Sequence, residues 1–106
     1  MELGEHFLVR RLRRGDRDAC RELIRTHHGA VYGYLRRLGA DASLAEDLSQ
    51  ETYAKAWRSI ASLREATSLR SWLLTIARNE FFQWSRAKRA DAVDLGHVPE
   101  SADGRP

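Results

Sequence analysis

The stretch Ser68-Leu69-Arg70-Ser71-Trp72-Leu73-Leu74-Thr75-Ile76-Ala77-Arg78-Asn79-Glu80-Phe81-Phe82-Gln83-Trp84 decides the fold. Its apolar residues Leu69, Trp72, Leu73, Ile76, Ala77, Phe81 and Trp84 recur at steps of three and four, which gathers side chains along one side of an α-helix. Ser68 stands where a hydroxyl can cap the first turn. The spacing predicts a helix reaching about Arg89, with Trp72, Leu73 and Ile76 buried in the core.

Working outward, the polar loop Ala61–Thr67 separates this helix from an earlier one. That helix opens with Ser43-Leu44-Ala45-Glu46, a capping-box pattern, and continues to about Ile60. Before it, Asp16 is placed to cap a helix running to about Leu38, whose apolar spacing includes Ala19, Leu23, Val31, Tyr34, Leu35 and Leu38, with Gly39 as the helix-ending residue. A short helix from about Glu5 to Arg14 stops at Gly15. Residues 90–106 show no periodicity, contain Pro99 and read as an acidic flexible tail or the start of an interdomain linker, leaving 1–89 as the folded domain. No segment alternates as a strand would. The expected class is all-α: an antiparallel bundle of three longer helices plus a short N-terminal helix on its side.

A length of 106 residues suits one domain with a tail. At 42% apolar and 31% charged, the chain has material for a modest core and is too mixed for wholesale disorder. No apolar run approaches the roughly 18–20 residues of a membrane span. The N-terminus MELGEHFLVRRLRR lacks the features of a secretory signal. The single cysteine, Cys20, cannot form an internal disulfide and reads as a small buried hydrophobe. These features favour the cytoplasm. The net charge of +3 is unevenly spread: residues 1–89 carry 17 basic against 11 acidic side chains, and residues 90–106 carry four acidic against Arg105. A basic folded part with an acidic tail favours a polyanion partner, most often nucleic acid.

Enzyme signatures are missing. The sequence holds no Gly-rich phosphate loop, nucleophile elbow or HExxH pair. His27 and His28 are adjacent, so a helix points them apart, and neither metal nor cofactor is expected. Two helix faces carry more information. Asp47, Gln50, Glu51, Ala54 and Arg58 share one face of the third helix, with Leu48, Ala45, Ala56, Ile60 and Tyr53 on the apolar remainder. This polar face can receive another helix or be an ordinary solvated surface. On the fourth helix, Thr75, Asn79, Phe82 and Arg86 form a stripe flanked by Arg78 and Gln83, with Lys88 and Arg89 just beyond. An amide for a base edge, a ring for stacking and cations for phosphates make a usable nucleic-acid surface. Phe82 can equally widen the core stripe.

Three stretches together resemble a known family. Ala45-Glu46-Asp47-Leu48-Ser49-Gln50-Glu51-Thr52-Tyr53-Ala54-Lys55-Ala56-Trp57-Arg58 is similar to region 2.2 of extracytoplasmic-function sigma factors, group 4 of the sigma-70 family. Ser71-Trp72-Leu73-Leu74-Thr75-Ile76-Ala77-Arg78-Asn79 resembles regions 2.3 to 2.4. Leu8-Val9-Arg10-Arg11-Leu12-Arg13-Arg14-Gly15-Asp16 and Val31-Tyr32-Gly33-Tyr34-Leu35-Arg36-Arg37-Leu38-Gly39 are similar to its opening helices. The likeness covers about residues 8–89 in the family's order and spacing.

The resemblance implies a transcription-initiation module and not an enzyme. Region 2.2 packs on the clamp helices of the largest subunit of core RNA polymerase, here through Asp47, Gln50 and Glu51 with Glu46 and Arg58 beside them. The next segment captures the non-template single strand of the promoter −10 element and holds a flipped base as the duplex opens. By motif, Lys55, Leu63, Arg64, Ser68 and Asn79 shape that pocket, and Arg78, Phe82, Arg86, Lys88 and Arg89 hold neighbouring bases or phosphates. An anti-sigma factor is a further expected partner, and no membrane insertion is implied. Two positions depart from the family pattern. Gln83 stands where many members have Asp, which removes any ion pair made there, and Leu63 stands where many have Phe. The family's helix-turn-helix domain for the −35 element is not among these residues, and the acidic tail looks like the start of a linker to it. Two other readings remain: an interaction module that binds polymerase or an anti-sigma factor without opening a promoter, and an autonomous duplex-binding domain.

Overall fold

The structure, a computed structural model, describes residues 3–63 and 68–94. Four α-helices follow one another: α1 (Leu3–Arg13), α2 (Arg17–Leu38), α3 (Ala42–Arg58) and α4 (Leu69–Asp94), with a 3-10 turn at Ile60–Ser62 between the last two. No strand occurs among the described residues. The all-α reading holds. Each of α2, α3 and α4 packs on the other two, while α1 lies against α2 and the 3-10 turn.

The boundaries follow local chemistry. Asp16 is extended, and its carboxylate accepts from the Asp18 and Ala19 amides, capping α2 as expected. Arg11 meets both that carboxylate and Glu22 at 3.0 Å, tying α1 to the start of α2. Gly39 ends α2 with φ 119°, a left-handed conformation that a Cβ would disfavour. The start of α3 differs from the capping-box expectation. Asp41, not Ser43, is the cap, accepting from the Leu44 amide at 2.8 Å, and Ser43 lies in the first turn. Only the Gly39–Asp41 connection separates α2 from α3, so the carboxylate that follows Ala40 meets the free amides first. Glu46 then points across to α2, 3.7 Å from His28 Nε2. The Ser68 hydroxyl accepts from the Ser71 amide at 3.1 Å, and α4 continues five residues past Arg89.

The core is one cluster. α1 contributes Leu8, Val9 and Leu12; α2 contributes Ala19, Leu23, Val31 and Leu35; and α3 contributes Ala45, Leu48, Tyr53 and Ala56. In α4 the deepest row is Leu69, Leu73 and Ala77, completed by Glu80. Trp72 and Ile76, expected in the core with Leu73, are only partly buried, and Trp84 is exposed. The two helices packed on α4 define a narrower contact line than its apolar stripe, so the large side chains flank that line. Cys20 is likewise only partly buried, and burial pushes its thiol pKa up.

Candidate nucleic-acid and docking faces

On α3, small and self-satisfied side chains turn inward: Ala45, Ser49, Thr52 and Ala56 are fully or almost fully buried. The Thr52 hydroxyl donates to the Leu48 carbonyl at 2.8 Å, so this polar residue is buried with its donor satisfied. Turning that row inward forces Glu46, Asp47, Gln50, Glu51 and Arg58 outward, and all five are exposed. Among the described residues, Asp47, Gln50, Glu51 and Arg58 make no side-chain hydrogen bond or ion pair. Beside this face, Arg17, Cys20 and Arg21 of α2 and Gln50, Tyr53, Ala54 and Trp57 of α3 line an open groove of 410 Å³. Below it the Tyr53 hydroxyl meets His28 Nδ1, and burial, aided by the Glu46 charge, pushes the Tyr53 pKa up to about 12. Tyr53 therefore stays a neutral structural link between α2 and α3.

On α4, burial of the Leu69–Leu73–Ala77–Glu80 row leaves Thr75, Asn79, Phe82 and Arg86 exposed together with Arg78, Gln83, Lys88 and Arg89. The Asn79 amide has no partner among the described residues. The Arg78 guanidinium lies 5.1 Å from the centre of the Phe82 ring, and the Lys88 ammonium lies 5.9 Å from the Trp84 ring. Phe82 is thus a surface ring already able to stack with a planar cation. Ser68 is exposed, while Arg64 lies outside the described residues.

Two expected pocket residues are engaged by contacts within the domain. Leu63 is 3% exposed, and its carbonyl accepts from Arg13 Nη2 at 2.8 Å, so its side chain belongs to the core and α1 holds its backbone. Lys55, expected to help shape the pocket, is ion-paired to Glu80 at 2.5 Å and lies 3.4 Å from Gln83 Oε1. Glu80, three residues before Gln83 on α4, supplies the carboxylate that Lys55 pairs with here. Sequence reasoning missed Glu80. Its signal was an acidic residue three positions after Ala77 and seven after Leu73, on the buried line. Glu5 was missed too: its carboxylate accepts from the Leu69 amide at 3.2 Å and so ties α1 to the start of α4. No cluster of three or more metal-ligating side chains occurs among the described residues, and no described helix is long and apolar enough to cross a membrane.

A helical core of this order, with a polar outer face on α3 and an amide, aromatic and cationic face on α4, matches a family. The family model described as Sigma-70 region 2 matches residues 23–90. The chain belongs to the sigma-70 region 2 family. Among its relatives, RNA polymerase sigma factor YlaC of Bacillus subtilis is 39% identical over 66% of this chain and 40% of its own length. ECF RNA polymerase sigma factor SigL of Mycobacterium tuberculosis is 37% identical over 77% of this chain and 49% of its own length. CarQ of Myxococcus xanthus, another RNA polymerase sigma factor, is 38% identical over 67% of this chain and 41% of its own length. The chain therefore spans less than half the length of these curated relatives. The Sigma-70 region 2 match runs from Leu23 within α2 through α3 and most of α4.

Proposed function

We propose that this domain docks on core RNA polymerase through the outer face of α3 and stabilises the melted promoter −10 element on α4. The carrying observation is the exposed row Thr75, Asn79, Phe82 and Arg86, on which an unpartnered amide adjoins a ring and several cations. Asn79 offers both a donor and an acceptor to a base edge. Phe82 supplies a stacking surface, and Arg78, Arg86, Lys88 and Arg89 attract phosphates. Extruding a base costs a few kcal/mol, and these contacts become available only once the strand is single. The domain then shifts the equilibrium of promoter opening and catalyses no change of covalent bond. The cytoplasm is where such a module works, and an anti-sigma factor covering the α3 face is its natural regulator.

The test is binding of single-stranded −10 oligonucleotides, each position varied through all four bases, with core polymerase present. Asn79→Ala should flatten the preference at one position, losing on the order of 1–3 kcal/mol there if the amide makes a bidentate base contact. An unchanged preference profile would refute the role of Asn79. Polymerase binding without any strand binding would favour the interaction-module reading, and duplex binding without polymerase the autonomous one.

A further inference from the structure

Glu80 is the one buried carboxylate among the described residues: its side chain is 9% exposed and sits on the inner line of α4. A carboxylate taken out of water requires a partner. Lys55 supplies it from α3, through an ammonium that also lies 3.4 Å from Gln83 Oε1. The Lys55 side chain is still 37% exposed, so it lies at the edge of the face that bears Asn79 and Gln83. An ammonium has three donors, and two of them face α4 acceptors. Pulling Lys55 toward a phosphate would strand a buried negative charge. The four cations of the same face are placed otherwise: Arg78, Arg86, Lys88 and Arg89 are exposed and have no carboxylate partner among the described residues.

We propose that Glu80 is a positioning residue that withholds the Lys55 charge from the nucleic-acid face. Strand capture then depends on the Asn79 amide and the four free cations, and Lys55 serves to lock α3 to α4. The proposal rests on the strand-capture reading above. Its physical content is electrostatic: a phosphate releases counterions when it meets a free charge, and a pair with no net charge contributes little to that release.

The experiment measures single-stranded −10 oligonucleotide binding across a salt series, with the whole chain on core polymerase. Four proteins are compared: the wild type, Lys55→Gln, Glu80→Gln and the double variant. Lys55→Gln, which leaves the Glu80 carboxylate without its partner, should lose stability and should not steepen the slope of log affinity against log salt. Glu80→Gln should steepen it by roughly 0.7, the value for one added phosphate contact on a single strand, and raise low-salt affinity for every sequence by a similar factor. The double variant should return to the wild-type slope. A merely structural Glu80 would not move the slope in this pattern. Should Glu80→Gln fall short of wild-type helical content, Glu80→Met, apolar and of similar length, carries the same comparison. If the double variant, which removes both charges together, flattens the slope below that of the wild type, or the Glu80 variant leaves it unchanged while the wild type binds, the proposal is overturned. A wild type that binds no strand on polymerase overturns the strand-capture reading, and this inference falls with it.

Discussion

Ser49 is fully buried on the inner side of α3, and its hydroxyl has no hydrogen-bond partner among the described residues. Leaving a buried hydroxyl unpaired costs about 1–3 kcal/mol. Ser49→Ala should therefore keep the fold and raise stability by about 1 kcal/mol in urea unfolding; a clear loss would reveal a partner for the hydroxyl. His27 makes a second prediction. It is 6% exposed, its Nδ1 is unpartnered, and burial, with Arg70 adding and Glu5 opposing, holds its pKa below the usual 6.5. The unfolded chain then binds this proton more readily than the folded one, so stability falls as pH drops below 6.5 and levels off under the folded-state pKa. His27→Gln should flatten the melting temperature between roughly pH 7 and pH 5, the range in which an ordinary histidine titrates. An unaltered pH dependence would assign the effect to another group. Hydrophobic patterning passed over both residues because it counts polar side chains as outward. In fact His27 fills the gap in the buried row Ala19, Leu23, Val31, Leu35.

At the scale of the helix, α4 shows how a pattern can be right in period and still wider than the contact line. Leu73 is fully buried, whereas Trp72 beside it is only partly so. Leu73→Ala should cost about 2–5 kcal/mol, a large share of the roughly 5–15 kcal/mol that holds a small domain. Trp72→Ala should cost less than the roughly 3–5 kcal/mol of a fully buried aromatic and leave a folded chain. Chemical denaturation of both variants checks the order, and a greater loss at Trp72 would mean that the contact line runs through the larger ring. Periodicity of three and four is satisfied by either neighbour. Which one faces inward depends on where α2 and α3 cross α4, and no single helix contains that information.

For the whole molecule, the proposed division of labour sets docking on α3 and strand capture on α4. Asp47 and Gln50 are exposed, and their side chains make no hydrogen bond or ion pair among the described residues. Replacing both with Ala should weaken binding to core polymerase while leaving helical content and melting temperature nearly intact, since exposed substitutions usually shift stability by less than about 0.5 kcal/mol. Retained affinity would remove the docking role from this face, and loss of folding would mean that these side chains support the domain after all.

The sequence by itself determined the helices, their order and most of their ends, because turn chemistry and 3.6-residue periodicity are local. Asp16, Gly39 and Ser68 act at the helix ends where the pattern puts them. It also made the two candidate faces legible, since Asp47, Gln50 and Glu51, and likewise Asn79, Phe82 and Arg86, share a side of one helix at helical spacing. Only the tertiary structure decided which charges on those faces are free. Lys55 and Glu80 stand on different helices, 25 positions apart, and each looks like a solvent-facing charge until α3 packs on α4. Leu63 likewise looks like a loop residue until Arg13 of α1 takes its carbonyl. The physical reason is the same in both cases: capping and periodicity act over a few residues of chain, whereas desolvation and ion pairing depend on what packing brings near.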